Sequence, residues 1–448
     1  MAAVADRLTL WVLVLVALCV TAPAVRSAQA YGMETRIVPR AWLNMPRRPN
    51  GAIPKRLSET GAFSDTRRLI PTPGLMPYDL IVSFWSDGAS KQRWVAVPRA
   101  KIGFSPTGEW RFPPGTVFVK TFELPGDSAH SVMRRLETRL LVLEPEGGVY
   151  GVVYKWRADD SDADLLSGSL TEIVESGTQH PPQSWYYPSR KDCMECHNAR
   201  AGGVLGVKTR QMNRTFTYPT GVTDNELRTW NHLGLFETAI KESVLQSFPT
   251  LTATDDSSRS LEERARSYLD ANCAQCHRPG GTVAYFDARF DTPLAQQQLL
   301  DGSVLIDQGI DRPRIIAPHD IWRSIAYMRI NTNSDIRMPP LARETIDQHG
   351  VALLGAWIQS MAGRDVVAPP AIFPSGGSYD HPVEVTLQDS DPDVDIRYTL
   401  DGSVPAATDT RYDQPIKLTG PTVLRARAFK PGFTRSITVQ EAFIVGAQ

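Results

Sequence analysis

Two pentapeptides share one pattern, Cys193-Met194-Glu195-Cys196-His197 and Cys273-Ala274-Gln275-Cys276-His277, and together they take four of the chain's five cysteines. A pair of thiols two residues apart, followed at once by histidine, constrains the chain more than any other feature, because three side chains must leave one tight turn toward one group. The spacing suits the two vinyl-derived positions of a single porphyrin, with the histidine beneath the iron as proximal ligand. Two covalently bound haem c groups are therefore expected, held by Cys193, Cys196, Cys273 and Cys276, with His197 and His277 on iron. A four-thiolate zinc site would use the same cysteines, but it gives no role to the histidine after each pair.

The fifth cysteine, Cys19, lies in a leader: Arg7 precedes the apolar run Leu8 to Val20, and Ala28-Gln29-Ala30 offers a cleavage site. This reads as a secretory signal over residues 1–30, not a membrane span, and Leu18 before Cys19 argues against lipidation. Export to a periplasmic or extracellular compartment follows, where haem attachment takes place. The whole chain carries a formal charge of −1, and the leader holds Arg7, Arg26 and Asp6, so the remainder carries −2. Such a balance gives no general attraction to nucleic acid or anionic lipid. No further apolar run is long enough to span a bilayer, so no transmembrane span is expected.

The expected fold is multidomain. Residues 31–185 are rich in β-branched and aromatic runs, at Ile81–Trp85, Gln92–Val97, Thr116–Phe122, Arg135–Leu143 and Tyr150–Trp156, between Gly, Pro and Asp clusters; they predict a mostly-β, sandwich-like domain. Residues 186–250 form the first haem-binding segment, with a helix predicted from Thr223, the cap, and Glu226, the return partner of a capping box. Residues 258–365 predict an α-helical region: a capping box at Ser260–Glu263 opens a helix into the second motif, and a closing helix covers Val351–Ile358. Ala368-Pro369-Pro370 reads as a linker to a β-sandwich over 369–446.

Sixth ligands are sought among methionine and histidine. Met338 stands before two prolines, 61 residues beyond His277 and upstream of the closing helix, and is the expected partner of His277; Met328 looks like packing. For the first haem His232 is the leading candidate, with Met212 and His180 as alternatives and an open iron as the remaining option. A bis-histidine first haem beside a His/Met second would place the two at different potentials.

The order of helix, motif, Met-Pro loop and closing helix in 258–365 resembles a class I cytochrome c, without the proline usual after the proximal histidine. Over residues 55–362 the chain is similar to a poorly characterised family of exported bacterial dihaem cytochromes. The resemblance is carried by Leu57-Ser58-Glu59-Thr60-Gly61, Trp85-Ser86-Asp87-Gly88-Ala89, Glu137-Thr138-Arg139-Leu140, Gln211-Met212-Asn213-Arg214 and Arg264-Ala265-Arg266-Ser267-Tyr268-Leu269. Some members of that family are joined to quinoprotein dehydrogenase-like domains, which implies an electron-accepting role. Pro374–Tyr379, Ile396–Pro405, Tyr412 and Leu424–Ala428 resemble the C-terminal sandwich of chitobiases and β-hexosaminidases, which implies an Ig-like appendage and no glycosidase activity.

The expectation is thus an exported electron carrier with redox donor and acceptor proteins as partners, more an electron-transfer protein than a catalyst. A dihaem peroxidase or oxygenase with one open iron is the rival, and a polysaccharide- or surface-binding redox protein is a third reading.

Overall fold

The computed structural model describes residues 30–35, 38–126, 133–175, 181–283 and 286–446. Cys19, His180 and the rest of the predicted leader up to residue 29 lie outside the described residues.

The alternation read in the first half builds one antiparallel meander of six strands: β1 (Leu75–Pro77), β2 (Ser90–Ala96), β3 (Val117–Pro125), β4 (Met133–Leu143), β5 (Val149–Trp156) and β6 (Ala163–Leu165). Four of the five predicted strands fall within it. The fifth, Ile81–Trp85, is irregular, because its backbone bonds elsewhere: Val82 exchanges two hydrogen bonds with the Gln211 amide (2.9 Å each), and Trp85 N–H donates to Asn272 (2.7 Å).

Both faces of this sheet are buried, which corrects the expected sandwich. One face, with Trp94, Val119, Leu140 and Val152, is covered by Met45, Leu57, Phe63 and Leu69 from the chain ahead of β1, a segment of loops, one helical turn and one short hairpin. The other, with Val95, Phe118 and Leu141, is covered by Val204, Leu227, Trp230 and Leu235 from the first-motif segment. Loops and a helix thus do the work of a second sheet, and residues 31–185 and 186–250 share one core. A hairpin of β7 (Leu170–Val174) and β8 (Gln183–Tyr187) leads into α1 (Arg190–Cys196).

The predicted helix beyond the first motif is α2 (Glu226–His232), capped by Asn225, whose side chain accepts from Arg228 N–H. Thr223 is not the cap, since Thr223–Asn225 pairs with Thr215–Thr217 as a short strand. Nor does Glu226 turn back to cap. Its carboxylate is buried and accepts from Asp79 N–H (2.8 Å).

Residues 258–365 hold, among the described residues, the α-helices α3 (Leu261–Asn272), α4 (Ile325–Ile330) and α5 (Gln348–Ser360). The Ser260–Glu263 capping box is present in both directions at 3.2 Å. Helices α3 and α5 pack together, with Gly350 seated against the Tyr268 ring where a side chain would collide. The rest of the region is irregular chain joined by single bridges, such as Leu300 with Ile316 and Arg314 with Ser324, and the expected α-helical cytochrome region is not shown. No helix among the described residues is long and apolar enough to cross a membrane.

The C-terminal region is a sandwich. Ala371–Phe373, Val383–Gln388 and Ile416–Leu418 form one sheet, and the other has the order Gly377–Tyr379, Val439–Val445, Thr422–Phe429, Asp395–Thr399, Thr410–Arg411. Val385, Ile396, Leu424, Ala426 and Phe443 fill the space between them. The module is docked on its neighbour: Arg323 donates to the carbonyls of Arg435 and Ser436 (3.2 Å each), and Arg427 pairs with Asp311 (3.2 Å).

Candidate functional site

The first motif sits on α1, and a capping box starts that helix. The Ser189 hydroxyl accepts from Asp192 N–H, and the Asp192 carboxylate accepts from Ser189 N–H (2.8 Å) and the Tyr186 hydroxyl (2.6 Å). Cys193 and Cys196, three apart on a helix, share a face. That face lies on β5, where Gly151 leaves room: a Cβ there would stand 2.8 Å from the Cys193 sulfur.

The second motif follows the C-terminus of α3 and makes the same turn. His197 N–H donates to the Cys193 carbonyl (2.9 Å), and His277 N–H donates to the Cys273 carbonyl (2.8 Å). The fold then brings the two turns together. The thiols of Cys196 and Cys276 lie close enough to interact, which raises the pKa of Cys196 and lowers that of Cys276. Arg278 fastens the pairing, donating to the Arg200 carbonyl (3.1 Å) and to Glu109 (2.9 Å), while Arg200 reaches the Gly281 carbonyl (3.3 Å). No disulfide joins these four cysteines, and burial pushes the Cys273 thiol up to about 12. No group of three or more His, Cys, Asp or Glu side chains disposed to hold a bare metal ion occurs among the described residues.

Beside the first turn lies a cavity of about 190 Å³ lined by Cys193, Cys196 and His197. Its apolar walls come from Leu80, Val82, Phe84, Phe118, Leu140 and Val204, and Leu341 and Ala342, just after Met338, close part of it. The His197 Nδ1 lies 2.8 Å from the Gly203 carbonyl, which can only accept, so Nδ1 carries the proton and Nε2 is left with its lone pair. Burial lowers the pKa of this imidazole to about 4, which keeps it neutral near pH 7. A neutral imidazole with an oriented Nδ1–H beside two thiols in a lined cavity fits a c-type haem.

His277 is also held neutral by burial, with its pKa lowered to about 4. Its ring stacks on Phe286 (centroids 4.1 Å apart), and its buried Nδ1 has no hydrogen-bond partner among the described residues, in keeping with the absent proline. Phe286 also lines a more open hollow of about 800 Å³, which shares Glu109, Lys208 and Arg278 with the first cavity.

Met338 packs in the same core as Cys273 and Phe286. Its loop hangs on a side chain that the sequence reading passed over: the fully buried Arg343 donates to the carbonyls of Met338 (2.6 Å), Ile330 (2.9 Å) and Thr332 (2.6 Å). Met328 lies on α4. The first-haem candidates are placed elsewhere. His232 stacks on Tyr31 (3.5 Å) with Nε2 on the Glu34 carbonyl (3.1 Å), Met212 is fully buried among Leu227 and Trp230, and neither lines the cavity beside His197. The cavity wall instead presents Arg93, Lys120 and Arg139 from the sheet, none of which the sequence marks as a site residue.

Fold and site together define a mostly-β protein in which two Cys-x-x-Cys-His turns are clasped over a lined cavity, with a β-sandwich at its end. The family model described as chitobiase/beta-hexosaminidase C-terminal domain matches residues 374–440, within that sandwich. Comparison with curated proteins gives no match.

Proposed function

We propose that the chain is an exported dihaem c-type cytochrome that accepts electrons from a dehydrogenase-like donor and passes them to an acceptor protein in the periplasm or outside the cell. The observation that carries this is the pair of equivalent Cys-x-x-Cys-His turns, brought side by side by Arg278 and Arg200, with the neutral His197 facing a lined cavity. Cys193, Cys196 and His197 hold one haem c; Cys273, Cys276, His277 and Met338 hold the other. When bound, these groups supply one-electron redox chemistry. The chain's own part is to fix the tautomer of the His197 imidazole, to wall the cavity in part with apolar side chains, and to present Met338 from a loop pinned by Arg343. Packing of α3 on α5 around the second motif supports the cytochrome-like reading of that region.

One observation favours the rival reading, a peroxidase or oxygenase: His232 and Met212 both stand away from the cavity beside His197. The C-terminal sandwich, through its family, adds polysaccharide or cell-surface contact as a role in location. The test is to produce the chain with haem-attachment machinery and record its mass, optical and electron-paramagnetic-resonance spectra, with carbon monoxide after reduction. A mass gain of two haems, with both low-spin and unreactive, is the expected result. No covalent haem refutes the cytochrome reading, and one high-spin haem that binds carbon monoxide selects the enzyme.

A further inference from the structure

The register of the sheet places three cations side by side. Arg93 on β2 is opposite Lys120 on β3, and Lys120 is opposite Arg139 on β4. All three line the cavity that holds Cys193 and His197. Like charges directly opposite across strands repel, and burial in a partly apolar cavity raises that cost. Two of the three are compensated: Arg93 pairs with Asp79, and Arg139 pairs with Glu137 (2.5 Å). The other cations of the wall are paired too, Lys208 with Asp270 (2.7 Å) and Arg278 with Glu109 (2.9 Å). Among the described residues Lys120 is the wall cation with no carboxylate partner; its ammonium lies 4.8 Å from the Phe122 ring centroid. Burial and the repulsion of Arg93, Lys91 and Arg139 press it well below the ordinary lysine range.

Among like charges in such a cavity, the ammonium form of a lysine persists only beside an anion. Its position says which kind. Cys193 rests on β5, and Lys120 stands two strands away, about 10 Å at the usual strand spacing. The thiols fix one edge of a porphyrin, and its carboxylates leave the opposite edge. We propose that Lys120, with Arg139 beside it, binds the propionate carboxylates of the haem attached to Cys193 and Cys196. This rests on the haem reading above. It adds a binding residue and a sign: a cation at that edge favours the reduced iron.

The experiment uses the full haem-loaded chain, with Lys120→Gln and Lys120→Arg compared with wild type by mass, carbon monoxide binding and spectroelectrochemical titration. Removing a repelled, unpaired cation relieves the sheet, so both variants should fold, which matched circular-dichroism melting checks. Lys120→Gln should retain two covalent haems and their spin states, and should lower the reduction equilibrium of one haem about tenfold, roughly 59 mV for one electron. Lys120→Arg should restore it.

Unchanged potentials in Lys120→Gln overturn the assignment. So does conversion of one haem to a high-spin, carbon-monoxide-binding form, which would make Lys120 an iron ligand. A wild-type potential that shifts with added inorganic phosphate, while that of Lys120→Gln does not, would show a site open to free anions and also overturns it. A chain that takes up no haem fails the cytochrome reading itself, and mass alone separates that outcome.

Discussion

Replacement of Gly151 by alanine tests the placement of the first motif on the sheet. The new Cβ would lie 2.8 Å from the Cys193 sulfur and 2.9 Å from the Cys193 Cβ. Turning the thiol about its side-chain bond relieves the first contact but not the second, because Cβ is fixed to the backbone. Carbon atoms pack at about 3.5–4.0 Å, so α1 must withdraw by roughly 0.6–1 Å. Overpacking of this kind costs about 1–3 kcal/mol. Scanning calorimetry of the haem-free chain should show the transition of the sheet unit lowered by about 2–10 °C. In the haem-loaded chain, peptide mass mapping should show reduced occupancy at Cys193 and Cys196, with Cys273 and Cys276 unaffected. The control is Gly168→Ala, since nothing stands within 4 Å of a Cβ at that position. If the two alanine variants match in both assays, the close seating of α1 on β5 is refuted.

Glu226 gives a pH test: burial raises its pKa from 4.5 to about 8, so the folded protein holds a proton that the unfolded chain releases above pH 4.5. Its contribution to stability therefore falls as pH rises from about 5 to 8, and Glu226→Gln should be more stable than wild type at pH 8, by on the order of 4 kcal/mol, and within about 1 kcal/mol of it at pH 5. Urea denaturation at the two pH values checks this, and a variant that loses stability at pH 8 contradicts it. Met338→Ala should lower the potential of one haem and open its iron to carbon monoxide; an unaltered spectrum removes Met338 from the iron. His232→Ala should leave both haem spectra unchanged, since its ring is engaged with Tyr31 and Glu34. A spectral change at one haem would return His232 to the ligand set.

What could be read in the sequence was local. The two motifs, the Ser260–Glu263 cap and the main strands are written in adjacent residues; the cap is formed as expected, and the ends of the four strands fall within three residues of the expected positions. The single-sheet form of the first half was not legible, because burial of both faces blurs the alternation that separates a sandwich from a covered meander. Nor was the cap at Asn225: Glu226 fits the capping pattern, but its side chain serves the backbone of Asp79, 147 residues away. The contact of Cys196 with Cys276 depends on how α1 and α3 dock, and no local spacing encodes that. A faint signal did exist. Lys120 and Arg139 interrupt the apolar runs Val117–Phe122 and Leu136–Leu143, and charges set in otherwise buried strands mark something that faces them.

The stretch Trp85–Ala89, part of the resemblance and the end of a predicted strand, has a physical task in the folded chain. Asp87 is buried and takes three bonds from across the molecule, from Glu344 N–H (2.8 Å), Thr345 N–H (2.8 Å) and the Thr345 hydroxyl (3.0 Å). Trp85 donates its indole N–H to the Thr345 carbonyl (3.1 Å) and its backbone N–H to Asn272, the residue before the second motif. One turn of the β-rich half thereby holds both the entry to the second motif and the loop that follows Met338. An Asp87 φ of 51° and a Gly88 φ of 76° give this turn its left-handed geometry, which aims the carboxylate at the loop. The same loop supplies Leu341 and Ala342 to the cavity beside His197. Each motif therefore depends on the other's surroundings: the sheet that seats the first also anchors the loop of the second, and that loop closes the cavity of the first. Loosening this turn would disturb both centres together, whereas loss of a single cysteine pair would strike one.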